Sequence, residues 1–360
     1  MSAPQSNRRD FLKGKAAARA GEHLIDGLVE TSEDLPAPSS GPRYLIKYSQ
    51  KAMACQFEVW LNVGQYPQGP ETALAAFDLI QQIEDQLTVY RSTSEVSALN
   101  RCAAQSPVVV DEALLNLLSQ SVELWKATHG AFDITAGPLS QLWGFTRRAG
   151  QLPEATAIAE TLARVGSQHL RLDLAAQTVA FDCPGIEINL GGIGKGYALD
   201  RCTTLFEDAE ISDYLLHGGS SSVCARGNCS SRKEGGWSIG VRNPLRPREY
   251  LGEIILRDRS LSTSSAAAQQ FVHQGKSYGH ILDPRTGWPA EGVLSATVIA
   301  NSAAEAEALS TAFYVEGLPA ATTYCAANPT IGCLLICPDD RKQRAICHTL
   351  NLNEADWLPR

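Results

Sequence analysis

The chain has 360 residues, 44% of them hydrophobic, which is enough for one large domain or two smaller ones with a substantial buried core and excludes a wholly disordered chain. Its 31 lysines and arginines against 39 aspartates and glutamates give a net charge of -8, with no basic block in the body of the chain, so no nucleic-acid partner is expected. No run approaches the roughly 20 apolar residues of a membrane-spanning helix, so no transmembrane segment is predicted.

The N-terminal segment carries Arg-Arg-Asp-Phe-Leu-Lys at residues 8–13, which resembles a twin-arginine export signal. Such a signal needs an uncharged apolar stretch after it, and charged residues from Lys15 onward interrupt that stretch here. We therefore expect an exposed arm or a vestigial leader, and a cytoplasmic location is favoured over a periplasmic one. Residues 31–43 are rich in Ser, Pro, Gly and acidic groups, a composition typical of linkers. We therefore predict an arm and linker over residues 1–42 and one folded domain over residues 43–360.

The body begins with an alternation of apolar and polar residues from Phe57 to Val63, which predicts a half-buried strand. Apolar residues at helical spacing from Leu74 to Leu87 predict an amphipathic helix after it. Two short runs, Leu170 to Leu174 and Val179 to Phe181, predict a hairpin. Further strands are predicted at residues 214–216, 237–241, 293–300 and 332–336. Strands and helices alternate irregularly, which favours a single α+β domain with mixed, largely antiparallel sheets over a doubly wound parallel sheet.

The densest glycine segment reads Asn-Leu-Gly-Gly-Ile-Gly-Lys-Gly-Tyr-Ala-Leu-Asp over residues 189–200. Glycines let the backbone approach a ligand closely and leave amide groups free for phosphate oxygens, and Lys195 adds a point charge. The segment lacks the Ser or Thr at position 196 that a Walker loop needs, and it lacks the glycine spacing of the dinucleotide fingerprint. Phosphate binding and a tight turn without a ligand are both compatible with this pattern.

A second segment places two candidate catalytic residues, His280 and Asp283, between consecutive turn signals. We expect both to follow an apolar strand. The unperturbed pKa of a histidine side chain lies near neutral pH, so His280 is a candidate general acid or base. A structural histidine and a turn-capping aspartate are the alternative interpretation.

A third segment begins with Ser302 and Glu305, which form the pattern of a helix capping box. Glu307 and Thr311 are four positions apart, so they share one face of the predicted helix. A carboxylate and a hydroxyl suit a hard cation such as Mg²⁺, which prefers oxygen ligands. The alternative is a surface glutamate beside a threonine that bonds back to its own helix.

Eight segments of the chain, taken in order, carry more information than any one of them. Besides the three above they are Met53-Ala54-Cys55, Ser94 to Asn100, Gly130 to Asp133, Gly137 to Leu139 with Leu142 to Phe145, and Gly218-Gly219. In this order, and over residues 50–317, they resemble the motifs of the ApbE family of FAD:protein FMN transferases.

The resemblance implies an α+β domain that binds FAD in a cleft and transfers FMN to a Thr or Ser of an acceptor protein, releasing AMP, with Mg²⁺ as the metal. It implies that the FAD site is lined by Met53, Ala131, Phe132, Asp133, Asn189, Lys195 and Ile281. It also implies that Mg²⁺ is held by the carbonyl of Gly192 and by Glu307 and Thr311. His280 would then lie close to the reacting phosphates.

The chain departs from the family pattern at sensitive positions. Asn189 and Glu307 each stand where the family has aspartate, Ser220 follows the Gly-Gly turn where aspartate is usual, and Ala54-Cys55 replaces Gly-Thr. Glu307 is longer than aspartate by one methylene, about 1.5 Å, and Mg²⁺ sites have strict geometry. Two alternatives to transfer are therefore kept: an FAD-binding protein without transferase activity, and a pyrophosphatase that gives FMN and AMP.

Overall fold

The computed structural model describes residues 44–266 and 269–360. The twin-arginine-like stretch and the predicted linker lie outside these residues, so the division between arm and domain stays a prediction. The described residues belong to a single compact unit. None of the helices in these two ranges combines the length and the apolar composition that crossing a membrane requires.

Sixteen strands in the described residues form four sheets. In chain order they are β1 Leu45–Ala52, β2 Cys55–Asn62, β3 Val108–Val109, β4 Leu170–Asp173, β5 Thr178–Phe181, β6 Tyr214–Gly218, β7 Ser222–Arg226, β8 Trp237–Asn243, β9 Arg246–Leu256, β10 Ser260–Ser264, β11 Gln270–His273, β12 Lys276–Gly279, β13 Ser295–Ala300, β14 Gly332–Pro338, β15 Ala345–Leu350 and β16 Trp357–Pro359. One sheet has eight strands in the order β1-β2-β6-β7-β10-β13-β14-β15, and every neighbouring pair in it is antiparallel.

Eight α-helices occur in the same part of the chain. They are α1 Gly69–Leu87, α2 Glu95–Cys102, α3 Glu112–Ala127, α4 Gly137–Leu142, α5 Ala155–Leu162, α6 Gly194–Asp208, α7 Ala303–Glu316 and α8 Leu318–Ala327. The helix α7 is buried on nearly every side, with alanines at five of its fourteen positions. A helix that is apolar all round belongs in a core, and small side chains let its neighbours approach closely. It packs between α6 and the strands β10 and β13.

The central sheet has an apolar layer on each face. Successive side chains of a strand point to opposite faces, and accordingly Leu216 belongs to the main core while Leu215 belongs to a second cluster. The same alternation separates Val298 from Ile299 on β13. The helices cover the main core, and the small sheet of β8, β9 and β16 covers the other face, with Trp237 fully buried against it. The predicted α+β class with largely antiparallel sheets is confirmed.

Candidate functional site

One cleft of about 440 Å³ brings together most of the residues predicted from the sequence. Its walls come from the loop before α4, the glycine segment at the start of α6, the end of β10, the turn after β12, and α7. The predicted residues that line it are Ala131, Phe132, Asp133, Asn189, Gly192, Lys195, His280, Ile281, Glu307 and Thr311. Met53 and Asp283 are not among the lining residues.

Gly196 sets the distance between α6 and α7. A Cβ atom at this position would lie only 2.3 Å from the carbonyl oxygen of Ala303 and 2.6 Å from the amide nitrogen of Ala304. Both are backbone atoms, so no rotation of a side chain could relieve the clash. The glycine therefore allows the two helices to touch at this point, which places Glu307 beside the first turn of α6.

Asp200, the last residue of the glycine segment, fixes the start of α7 to α6. Its Oδ1 accepts a hydrogen bond from Ala303 N–H at 2.7 Å, and its Oδ2 accepts from Ala304 N–H at 2.9 Å and from the Ser302 hydroxyl at 2.7 Å. The Ser302 oxygen in turn accepts from Glu305 N–H at 3.2 Å, as the capping pattern predicted. A carboxylate at a helix N-terminus is stabilised by the free amides and by the helix dipole.

Lys195 and Glu307 form an ion pair across the cleft. The second carboxylate oxygen of Glu307 accepts a hydrogen bond from Gly196 N–H at 2.7 Å. Glu307 is only 4% exposed, and a buried carboxylate is costly unless it has such partners. The N-cap residue of α6, Ile193, does not cap the helix with its own side chain. The cleft therefore combines the Lys195 ammonium, the positive end of a helix and one buried carboxylate.

Thr311 lies one helical turn beyond Glu307. Its hydroxyl oxygen is 3.2 Å from the carbonyl oxygen of Glu307 and 3.2 Å from the hydroxyl oxygen of Ser264. Gly192 lines the same cleft. In the described part of the chain, no group of three His, Cys, Asp or Glu side chains is arranged so that it could hold a metal ion. Gly192, Glu307 and Thr311 together contribute a single carboxylate. Its carbonyl, carboxylate and hydroxyl donors are all oxygens, which fits a hard cation such as Mg²⁺.

Asn189 shapes the glycine loop from within. Its side-chain oxygen accepts a hydrogen bond from Gly191 N–H at 2.9 Å, and its backbone N–H donates to the carbonyl of Ile134 at 2.7 Å. A Cβ atom at position 191 would lie 3.1 Å from that side-chain oxygen. An aspartate could accept the same bond, so the neutral residue preserves the turn while it removes one negative charge from the cleft.

Asp133 lines the cleft, but its carboxylate is engaged elsewhere. Its oxygens accept four hydrogen bonds, from the amide and hydroxyl groups of Thr135 and of Ser167, at 2.7 to 3.0 Å. Burial raises the pKa of this carboxyl, and these hydrogen bonds oppose the rise. Asp133 therefore holds the loop before α4 against the 3-10 helix Ser167–His169, and it contributes to the cleft by positioning Phe132 and its neighbours.

The imidazole ring of His280 lines the cleft. Its Nδ1 lies 3.0 Å from the carbonyl oxygen of Gln269. A carbonyl can only accept, so Nδ1 carries the proton and Nε2 is the acceptor of the ring. Burial lowers the pKa of this imidazole, and the bond to Gln269 opposes the shift. The strand before it, β12, is largely exposed, so the predicted apolar strand was wrong even though the turn was placed correctly.

Asp283 and Met53 do not line the cleft themselves, although Leu282 and Pro284 on either side of Asp283 do. Both carboxylate oxygens of Asp283 accept hydrogen bonds from the Arg285 guanidinium at 2.9 Å, and one also accepts from Arg285 N–H. Arg285 is bonded in addition to Glu316. This geometry matches the turn-capping alternative for Asp283. Met53 occupies the turn between β1 and β2, where it and Ala54 have positive φ angles of 48° and 58°.

A band of hydroxyl-bearing residues lines the cleft, and Ser220 is the one member that the sequence singled out. It consists of Ser220, Ser221, Ser262, Thr263, Ser264 and Ser265. The hydroxyl of Ser264 is 2.8 Å from that of Ser310, and the hydroxyl of Thr263 is 2.9 Å from that of Thr297. The signal that could have revealed it is the run Ser-Leu-Ser-Thr-Ser-Ser at residues 260–265, which is unusual at the end of a buried strand.

The family comparison decides the assignment. The ApbE family matches residues 52–335 of this chain. The chain belongs to the ApbE family. A protein of Klebsiella pneumoniae named FAD:protein FMN transferase is 30% identical over 273 residues, which are 75% of this chain and 83% of that protein. A protein of the same name from Vibrio cholerae is 28% identical over 336 residues, covering 91% and 95% of the two chains.

Solved structures agree with this membership. The flavin transferase ApbE from Vibrio cholerae superposes with a TM-score of 0.75 at 26% identity, covering 86% of this chain and 98% of that one. In this chain the contact between the glycine loop and α7 is made by Glu307, whose carboxylate meets both the Lys195 ammonium and Gly196 N–H.

Proposed function

We propose that this chain transfers FMN from FAD to the hydroxyl group of a Thr or Ser residue in an acceptor protein, with release of AMP. Its relatives carry the name FAD:protein FMN transferase. The observation that supports the same activity here is the convergence of Lys195 and Glu307 on one cleft. A diphosphate in this cleft would meet an ammonium group, the positive end of α6 and a set of oxygen ligands for a cation.

Each residue of the site has a role in this proposal. Gly192, Glu307 and Thr311 would hold Mg²⁺, which when bound neutralises charge on the phosphoryl groups. Lys195 would bind the diphosphate, and the residues Ala131 to Asp133, Asn189 and Ile281 would form the walls around FAD. Since Glu307 now neutralises Lys195, a cation that takes over this carboxylate would free the ammonium group for the diphosphate.

The transfer step breaks one bond and forms one. The acceptor hydroxyl oxygen bonds to the phosphorus of the FMN half, the bond from that phosphorus to the bridging oxygen breaks, and AMP leaves with the bridging oxygen. The hydroxyl proton must pass to a base, because a neutral hydroxyl is a weak nucleophile. We assign this role to Nε2 of His280, which is unprotonated in the tautomer fixed by Gln269.

The test is to incubate the protein with FAD, Mg²⁺ and candidate acceptor proteins, and to follow both the mass of the acceptor and the release of AMP. Transfer predicts an acceptor heavier by one FMN unit and one AMP for each modification. Release of FMN and AMP without an acceptor would identify a pyrophosphatase instead. Tight retention of intact FAD with no AMP under any condition would identify an FAD-binding protein and contradict the proposal.

A further inference from the structure

A second groove lies on the opposite side of α4 from the cleft. It has a volume of about 980 Å³. The helix α4 separates the two, because Gly137 and Ser140 line the cleft while Pro138 and Gln141 line the groove. Asn189 lines both. The groove is therefore continuous with the cleft at the glycine loop.

Three arginines from three different elements meet in this groove. Arg101 comes from α2, Arg147 ends the 3-10 helix Phe145–Arg147, and Arg164 follows α5. All three are exposed, and none forms an ion pair with a carboxylate in residues 44–266 or 269–360. By contrast, Arg91 and Arg285, which are also exposed, do have carboxylate partners.

The groove has little negative charge to offset these arginines. Glu187 is the one acidic residue in its lining, and its carboxylate accepts a hydrogen bond from the Gln141 side chain at 2.6 Å. The charged lining residues thus sum to 3 − 1 = +2 in a chain whose net charge is -8. A positively charged groove attracts anionic segments of a partner protein, even when the protein as a whole is acidic.

We propose that this groove binds an acidic segment of the acceptor protein, close in sequence to the hydroxyl residue that is modified. The inference rests on the proposed function. Guanidinium groups bind carboxylates through paired, charge-assisted hydrogen bonds. The cation suited to the FAD diphosphate, Lys195, lies on the cleft side of α4. Arg101 Nη1 donates to the carbonyl of Ser92 at 2.9 Å, so Arg147 and Arg164 are the groove arginines that we assign to a second anion.

The geometry gives a spacing for the acidic residues of the acceptor. A helix with its side chains is about 10 Å across, and an extended chain advances roughly 3.3 Å per residue. A segment that crosses α4 from the groove to the cleft therefore spans about three or four residues. Acidic side chains at that distance from the modified Thr or Ser would lie among the arginines while the hydroxyl lies in the cleft.

The experiment uses two synthetic peptides with a single threonine. One carries aspartates about three or four residues from the threonine, and the other carries asparagines at the same positions. Binding of each labelled peptide to the full chain is measured by fluorescence anisotropy with FAD present, and KM for each is measured by FMN transfer. The test variant is Arg147→Glu with Arg164→Glu. The control is Arg248→Glu with Arg246→Glu on β9, which changes the net charge equally but lies outside the groove.

We expect the unmodified protein to bind the aspartate peptide about tenfold more tightly than the asparagine peptide, and the test variant to lose this preference while its affinity for FAD is unchanged. The control variant should keep the preference. Equal binding of both peptides, or a preference that survives in the test variant, overturns the inference. A parallel loss of FAD affinity would also overturn it, because the groove would then serve FAD. Binding that shows the preference without any FMN transfer would support the groove and count against the proposed function alone.

Discussion

Among residues 44–266 and 269–360, the carboxylate of Glu307 is the one buried acidic group that faces both the glycine loop and the predicted cation ligands. It is bonded to Lys195 and to Gly196 N–H, and Thr311 lies one turn away. In Glu307→Gln the side chain keeps its size and can still accept from Gly196, but it loses the charge that a cation requires. We expect the Mg²⁺-stimulated rate of AMP release to fall about a hundredfold or more.

The matched control for this variant is Glu305→Gln on the same helix, since Glu305 is half-buried and does not line the cleft. It should keep the Mg²⁺ response. Rates would be measured across a Mg²⁺ titration, with circular dichroism to confirm that both variants are folded. An unchanged Mg²⁺ response in Glu307→Gln would remove Glu307 from the cation site.

His280 gives a pH dependence whose sign follows from its burial. Burial lowers its pKa, so the neutral form, which can act as a base, persists below the usual value of about 6.5. The transfer rate should be flat at neutral pH and should fall as the pH drops through the lowered pKa, because protonation of Nε2 removes the acceptor. In His280→Ala the rate should be lower and this acid limb should disappear. A kcat profile between about pH 5 and 8 tests this, and an identical acid limb in the variant would assign the titration to another group.

At the scale of the helices, the contact between α6 and α7 is what brings the two halves of the site together. Gly196→Ala would force a Cβ atom against the backbone of Ala303. We expect a loss of about 1–3 kcal/mol in the free energy of unfolding, together with weaker FAD binding, since Glu307 would move away from Lys195. Urea unfolding and FAD titration measure the two effects.

The control for this variant is Gly194→Ala, two residues earlier in α6. A Cβ atom there has its nearest neighbours at 4.0 Å, which is ordinary contact. This change should leave stability nearly unaltered or raise it slightly, because alanine is the better helix former. Equal behaviour of the two variants would show that close approach at Gly196 does not hold the helices in place.

Local patterns predicted the elements that carry a clear period. The strand at β2, the helix α1 and the β4–β5 hairpin follow directly from the spacing of their apolar residues. The strand β9 was missed, because its first five residues are exposed and it is stabilised by β8 and β16, the latter about a hundred residues away in sequence. Contacts of this kind leave no local signal.

The same limit applies to individual residues of the site. The spacing of Glu307 and Thr311 placed them on one face of α7, and the structure has both in the cleft. The pairing of Glu307 with Lys195 joins residues 112 positions apart, and nothing local specifies it. Asp133 was predicted to line the FAD site and Asp283 to act in catalysis, and both roles stay predictions. The structure adds the bonds that their carboxylates make, to Ser167 and Thr135 and to Arg285 respectively. A motif shows that a carboxylate is present, while its bonding partners are set by the tertiary fold.

At the scale of the whole molecule, one antiparallel sheet with apolar layers on both faces supports the candidate cleft and a positive groove beside it. The elements around the cleft come from residues 131 to 311, so the site exists only when the sheet and the helices on it are assembled. The proposed transfer therefore depends on one geometric statement, that the glycine loop and α7 act on the same diphosphate.

The most direct test of that statement is a crystal structure of the full chain with FAD and Mg²⁺. We predict that the diphosphate lies between Lys195 and a Mg²⁺ ion bound by Glu307, Thr311 and the carbonyl of Gly192, with His280 on the side of the FMN phosphate. A structure in which FAD binds outside this cleft, or in which its diphosphate contacts neither Lys195 nor a cation on Glu307, would contradict the account.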